Sequence, residues 1–313
     1  MTESGTKHGS PPNSESGSLS LAVALSLAGN HLEAREEIER CLGHEPERAE
    51  VLAAYGQILW AAKDSQRVSD YFTPILNSEN PELATLATLQ IALFEMKSGA
   101  YADAADRLER GILAIGPVDS RSRVVGRMYD YLGRSYFRLR MPDRARPALQ
   151  TAASILESSG DRVGMADVLA VMGLVEKSSE RWDRSEALTL KAIETYRDGS
   201  RPGKILTATN NLAVLRVFRG WFESAKDPAR QTLRLADEIG DLRLATGARV
   251  TLAVLEIRTG RHPEARVLLG EASRLARTQA SPRHRALSCE YAGELALREN
   301  RLEDARRWLA RGA

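Results

Sequence analysis

The stretch NLAVLRVFRGWFESA at residues 211–225 returns forty residues later as TLAVLEIRTGRHPEA at residues 251–265. Each copy opens on a Leu followed by a small residue, Ala213 or Ala253, and continues with apolar residues to a Gly-centred break. A second small residue follows the break, Ala225 or Ala265. Apolar side chains recurring every three to four residues make one face of a helix, and the Gly stops it. The unit is therefore two helices joined by a tight turn. Small residues let the two axes approach closely, and larger ones between them fill the remaining space.

Outward from this stretch, the first small slot falls at Ala22, Gly56, Ala92, Gly133, Gly173, Ala213, Ala253 and Gly293, with gaps of 34, 36, 41 and then 40 four times. One helix pair leaves an apolar face uncovered, and stacking on the next pair covers it. The spacing predicts an all-α solenoid of about eight antiparallel helix pairs, with repeats near 15–48, 49–84, 85–125, 126–165, 166–205, 206–245, 246–285 and 286–313. These are read as one elongated domain over residues 18–313. The second copy departs most, with Lys63 in the turn and Val68 in the second small slot. Residues 1–17, MTESGTKHGSPPNSESG, have no large apolar residue after Met1 and are expected to be a disordered tail.

Composition narrows the function. Apolar residues make up 43% and aromatics 5%, which suits a helical core of Leu, Ala and Val. A net charge of +2 over 44 basic and 42 acidic side chains is too balanced for a nucleic-acid footprint, so no direct nucleic-acid binding is expected. No apolar run approaches the roughly 20 residues needed to span a membrane. LSLAVALSLA (19–28) has the length of a signal-peptide core, but Glu3, Lys7 and Glu15 precede it and it keeps the repeat register. It is read as the first helix. Cys41 and Cys289, 248 residues apart, are read as small buried thiols, as suits a reducing cytoplasm.

Chemistry-bearing motifs are missing. Residues 199–204, GSRPGK, lack one residue between the glycines of a phosphate-binding loop, and Ile205 stands where Ser or Thr is needed. Among His8, His31, His44, His262 and His284, none pairs with another His or a Cys at ligand spacing, so no metal or other cofactor is expected. His31 and His262 occupy a turn slot that elsewhere holds Tyr101, Trp182 or Phe222, which points to packing. Acidic residues such as Glu33, Glu36 and Glu37 read as solvated helix exteriors. Nothing nominates a catalytic site, and the chain is expected not to be an enzyme.

The pairs Leu21-Ala22, Tyr55-Gly56, Leu132-Gly133, Met172-Gly173, Leu212-Ala213, Leu252-Ala253 and Ala292-Gly293 carry a resemblance to the tetratricopeptide repeat family. So do the turn glycines Gly29, Gly99, Gly220 and Gly260 and the close-contact alanines Ala34, Ala104, Ala145, Ala225, Ala265 and Ala305. The match covers about residues 15–313. It implies a right-handed superhelix whose first helices line a concave groove for a protein or peptide. The period stretches from 34 to 40, and the six extra residues are read into longer second helices such as Ala265–Thr278. That longer version resembles arrays in bacterial signalling and transcription regulators.

The resemblance places Arg127, Asp130, Arg134, Phe137 and Arg138 in the groove, followed by Asp167, Leu174 and Lys177, a net basic stretch. Asn210, Val214, Val217 and Phe218 come next, then Val250, Val254, Ile257 and Arg258, an apolar stretch, and last Glu290, Glu294, Leu297 and Arg298. Such a trough would hold an acidic-hydrophobic segment, with Asn210 or Asn211 bonding its backbone. The competing reading is a tightly curled array that packs Val214, Val217 and Val254 against neighbouring helices. Leu19, Val23, Ala53 and Gln57 stand where the family's Lys and Asn clamp for terminal carboxylates would be, which excludes that mode. The expected role is the sensing or assembly arm of a regulator. Ala313 directly follows a helix bearing Trp308 and Leu309, whose uncapped face a following effector domain or a second copy would cover.

Overall fold

Each predicted small slot is a place where one helix lies against another. Ala22, Ala92, Ala213 and Ala253 are fully buried. A Cβ added to Gly133 would stand 2.5 Å from the Leu149 side chain, and one on Gly173 would stand 2.7 Å from Thr189 Oγ1. The facing slots Ala34, Ala104, Ala145, Ala225 and Ala265 are also fully buried. Ser185 fills that second slot in the fifth copy and donates to the Gly173 carbonyl at 2.7 Å, a bond between the helices that an Ala could not make. In the second copy Val68 is buried beside Tyr55 and Phe72.

The computed structural model describes residues 18–44, 48–62, 64–115, 122–199, 201–279 and 281–312; the expected tail at 1–17 and Lys63 lie outside them. Among the described residues there are sixteen α-helices and no strand. They pair as α1 (Leu19–Leu27) with α2 (His31–His44), α3 (Ala49–Ala62) with α4 (Ser65–Ile75), α5 (Pro81–Ser98) with α6 (Tyr101–Ala114), and α7 (Arg123–Arg138) with α8 (Pro142–Ser158). The series continues with α9 (Arg162–Ser178) and α10 (Trp182–Asp198), α11 (Pro202–Phe218) and α12 (Phe222–Glu238), α13 (Leu242–Arg258) and α14 (His262–Thr278), and α15 (Pro282–Arg298) and α16 (Leu302–Gly312). By packing, the chain divides inside α8 into two compact units, Met1–Ile155 and Leu156–Ala313. No helix among the described residues is long and apolar enough to cross a membrane.

Helix starts follow local chemistry. The side chains of Ser18, Asn80, Ser122, Asp161 and Asp241 accept a backbone N–H at the start of a first helix. The second helices α6, α10, α12 and α14 have no such cap and begin on half-buried Tyr101, Trp182, Phe222 and His262, so packing holds their entry. His262 and the equivalent His31 are half-buried in this slot, His262 with Nδ1 3.9 Å from a Glu299 carboxylate oxygen. The lengthening to 40 differs from expectation. Both helices of the pairs α9–α10, α11–α12 and α13–α14 have 17 residues, so the extra turns are shared between first and second helices.

The first unit holds a core of Ile38, Leu52, Ile58, Leu59, Phe72 and Leu86 from α2 to α5. Tyr136 is buried in the same unit, and burial followed by its bond to Glu109 pushes its hydroxyl up to about 12. In the second unit α11 touches α13 and α13 touches α15, while the second helices α10, α12, α14 and α16 do not touch one another. The row of closer helices is the inner face of a curve. First helices thus line the inside of this unit, where the resemblance placed them.

The turn between paired helices requires a left-handed residue. Gly220 and Gly260 adopt φ of 82° and 80°, and the same slot in other copies holds Arg140, Glu180 and Asn300 at φ of 62°, 57° and 58°. A Cβ in this region crowds the following carbonyl, and Asn tolerates it best. Glu180→Gly is expected to raise unfolding stability by about 0.5–1 kcal/mol after the extra freedom of unfolded Gly is set against the relief. Asn300→Gly should change it by no more than a few tenths, and urea unfolding of the two variants measures the difference.

Candidate functional site

Of the predicted groove residues, Arg127, Asp130, Arg134, Phe137 and Arg138 lie on α7 in the first unit. Asp130 does not face a groove. It is fully buried and accepts from Arg134 Nε at 2.8 Å, four residues on, because a carboxylate taken from water needs a charged donor. Arg134 also lies over the Tyr131 ring at 5.7 Å. Arg138 stacks 4.9 Å over Tyr101 of α6 and donates to its hydroxyl at 2.8 Å. Arg127 and Phe137 are half-buried. The basic stretch is thus largely occupied within its own repeats.

The second unit corrects the apolar stretch. Val217, Val254 and Ile257 are 6%, 6% and 1% exposed, whereas Phe218 is 56% exposed. Val217, Val250 and Val254 pack with Ala225, Leu255 and Ala272, and Ile257 packs with Ala253, Ala265 and Leu295. These four residues are core and offer no surface to a partner. The reason is the direct contact of α11, α13 and α15: helices close enough to touch bury the residues facing along the row. The competing reading of a curled array holds here for Val217 and Val254, while Val214 keeps partial exposure.

What remains on the inner face of this unit is mixed. Leu174, Lys177, Asn210, Asn211 and Val214 are half-buried, and Phe218 and Arg258 are exposed. The Lys177 ammonium lies 5.1 Å from the centre of the Phe218 ring. Burial and, behind it, the nearby Arg283 guanidinium lower the lysine's affinity for its proton. Asp167 is engaged, accepting from Tyr196 at 2.6 Å and pairing with Lys204 at 2.9 Å. Glu294 sits between Arg258 at 3.2 Å and Arg298 at 3.0 Å, so the charges at that end cancel locally.

The structure adds residues that the sequence reading passed over. Thr251 Oγ1 stands 3.0 Å from the Gly247 carbonyl of its own helix and 3.2 Å from Asn210 Oδ1, so its single hydrogen is shared between α13 and a contact to α11. Mid-helix Gly247 on α13 has only His284 Nε2 and Asn210 Nδ2 near its missing Cβ, at 3.7 and 3.9 Å. A glycine inside a helix and away from any cap was a legible signal, because it destabilises the helix and implies a close approach. Burial leads Arg283 and Arg243 in holding His284 below the usual imidazole range. Among the described residues no group of three potential metal ligands occurs. Cys41 and Cys289 are buried, and neither is in a disulfide.

No protein-family model and no curated protein matches the chain in sequence. Solved structures do match in fold. The apo form of RapI is 9% identical with a TM-score of 0.70, over 84% of this chain and 96% of RapI. A Rap protein complexed with competence and sporulation factor is 11% identical with a TM-score of 0.66, over 94% of this chain and 95% of that one. A signal-transduction ATPase of Pyrococcus horikoshii with a tetratricopeptide repeat sensor is 16% identical with a TM-score of 0.61, over 88% of this chain and 45% of the ATPase. The architecture is that of tetratricopeptide repeat solenoids.

Burial separates two neighbours on α11. Val217→Asp is expected to cost about 3–5 kcal/mol, the range for an unpaired charge in a core, and Phe218→Asp less than about 1 kcal/mol. Thermal and urea unfolding of the two variants measure this, and equal losses would show Val217 to be surface after all.

Proposed function

We propose that this chain, folded as a tetratricopeptide repeat solenoid, is a non-catalytic scaffold that holds an extended segment of another protein on the inner face of its second unit. The arrangement of Asn210 carries the reading. Its side-chain amide lies 3.2 Å from Thr251 Oγ1 and stands beside the Cβ-free face of Gly247, where a ligand backbone can come close. Leu174, Val214 and Phe218 offer apolar surface to alternate ligand side chains, at roughly 25 cal/mol per Å² buried. Asn211 adds a second amide on the same helix.

The biological setting belongs to the same proposal. The scaffold serves as the sensing or assembly arm of a bacterial regulator in a reducing cytoplasm. Two structural neighbours support this, a Rap protein complexed with competence and sporulation factor and an ATPase with a repeat sensor. Buried cysteines outside any disulfide are compatible with a reducing compartment.

Selection from a random displayed-peptide library on the full chain is expected to enrich a related set of sequences. Asn210→Ala and Phe218→Ala should each weaken the selected peptides about tenfold, the usual scale of a lost hydrogen bond or aromatic anchor, with the helical circular dichroism retained. Arg138→Ala in the first unit should leave them unaffected. No enrichment, or binding indifferent to both inner-face variants, would reject the reading.

A further inference from the structure

On the edge of the second unit where first helices turn into second helices, one repeat boundary differs from its neighbours. The residue that closes a first helix stands opposite the first turn of the second helix before it. Between the fifth and sixth repeats these places hold Arg219 and Asp183, paired at 2.6 Å. Between the seventh and eighth, Glu299 closes α15 and reaches back to Arg266 of α14 at 2.5 Å. Between the sixth and seventh the places of Arg219 and Asp183, forty residues on, hold Thr259 and Glu223. The threonine is too short to span the boundary, and its hydroxyl bonds carbonyls of its own helix, Leu255 at 2.9 Å and Glu256 at 3.4 Å. A shallow hollow of about 560 Å3 is left there, lined by Gly220, Trp221, Phe222, Glu223, Ser224 and Thr259.

The aromatic lining has a cause in the repeat. In the fifth and seventh copies the turn holds Arg181 and Arg261, which pair with the buried Glu176 and Glu256 five residues before. In the sixth copy those places hold Trp221 and Arg216. An arginine in the turn would be repelled by Arg216, which pairs instead with Glu186 of α10 at 2.8 Å. Trp221 is 43% exposed. Its ring already accepts one guanidinium, Arg219 at 3.8 Å, and Arg219 does not line the hollow.

The carboxylate in the hollow lacks the cation that its equivalent has. Among the described residues no ion pair or hydrogen bond engages exposed Glu223, with Lys226 three residues on included. Arg261 is bonded to Glu256, and Glu264 and Glu223 act on it only through space, so three carboxylates share one guanidinium. A planar, weakly hydrated cation stacks on an indole and bonds a carboxylate at once, which a compact ammonium does less well.

We propose that this hollow docks an arginine side chain of a partner protein, with its guanidinium on the Trp221 ring and against the Glu223 carboxylate, as Arg219 pairs with Asp183 one repeat earlier. Trp221 and Glu223 recognise the cation, and the short Thr259 makes room for it. The contact lies on the turn edge and does not depend on the inner face holding a ligand.

The test titrates the full chain with acetyl-Ala-Arg-Ala-amide, the same peptide with citrulline for arginine, and guanidinium chloride, all at matched concentrations and constant ionic strength. Binding is read from the Trp221 indole N–H resonance, identified by its loss in Trp221→Leu. The arginine peptide is expected to move this signal at concentrations about fivefold lower than the citrulline peptide, the scale of a cation stacked at a partly exposed ring. Glu223→Gln should bring the arginine peptide to the citrulline level. Thr259→Arg, which supplies a guanidinium from within the chain, should abolish the response, and Thr259→Ala should keep it, each variant with its helical circular dichroism retained. Equal response to the two peptides, or no response to either, overturns the proposal. So does a preference that survives Glu223→Gln or Thr259→Arg, and so does guanidinium chloride matching the arginine peptide, the behaviour of a site for loose cations.

Discussion

A pair of antiparallel helices cannot bury both of its faces, and this shortfall governs the molecule. Each pair needs the next one, and within a pair the two helices meet at a distance set by the small slots. Ala253 against Ala265 and Gly173 against Ser185 bring axes close enough for the large residues beside them, Ile257, Leu269 and Leu169 among them, to fill the seam. Gly173 and Ser185 show how finely the distance is held. The serine hydroxyl bonds the glycine carbonyl across the helix pair, and no side chain larger than hydrogen fits on the other side.

The same closeness takes surface away from function. In the second unit the first helices touch along their row, so residues that point along it become core whatever their place relative to the small slot. Val217, Val250, Val254 and Ile257 are lost to the groove in this way, and Phe218, one residue past Val217, stays outside. The accessible inner face is narrower and more polar than an open trough. Its remaining features, Asn210, Lys177, Phe218 and the floor at Gly247, are those that stacking did not consume.

Electrostatics on this face follow the same division. Asp130, Asp167 and Glu294 each pair with a neighbouring Arg, Lys or Tyr within their own unit, Asp130 through one of its two oxygens. Lys177 has an aromatic ring and an opposing guanidinium in place of a carboxylate. Glu290 on the same face is exposed, so the face carries charge of both signs beside the half-buried Lys177.

The repeat was legible in the chain because helix stacking writes its requirements at fixed spacing: Ala213 and Ala253, Ala225 and Ala265, Gly220 and Gly260 each return after forty residues. These positions are set by local geometry, small atoms where backbones approach and a left-handed residue where the chain turns, so they determined the fold unaided. Two things were not local. Whether Val217 or Phe218 meets solvent depends on how closely α11, α13 and α15 approach, which is a sum over every side chain in the seam. The meeting of Asn210, Gly247 and His284 depends on the stagger between successive helices, which turns a spacing of 37 into adjacency. Tertiary packing alone decided both, since a period specifies that neighbours touch and not at what angle.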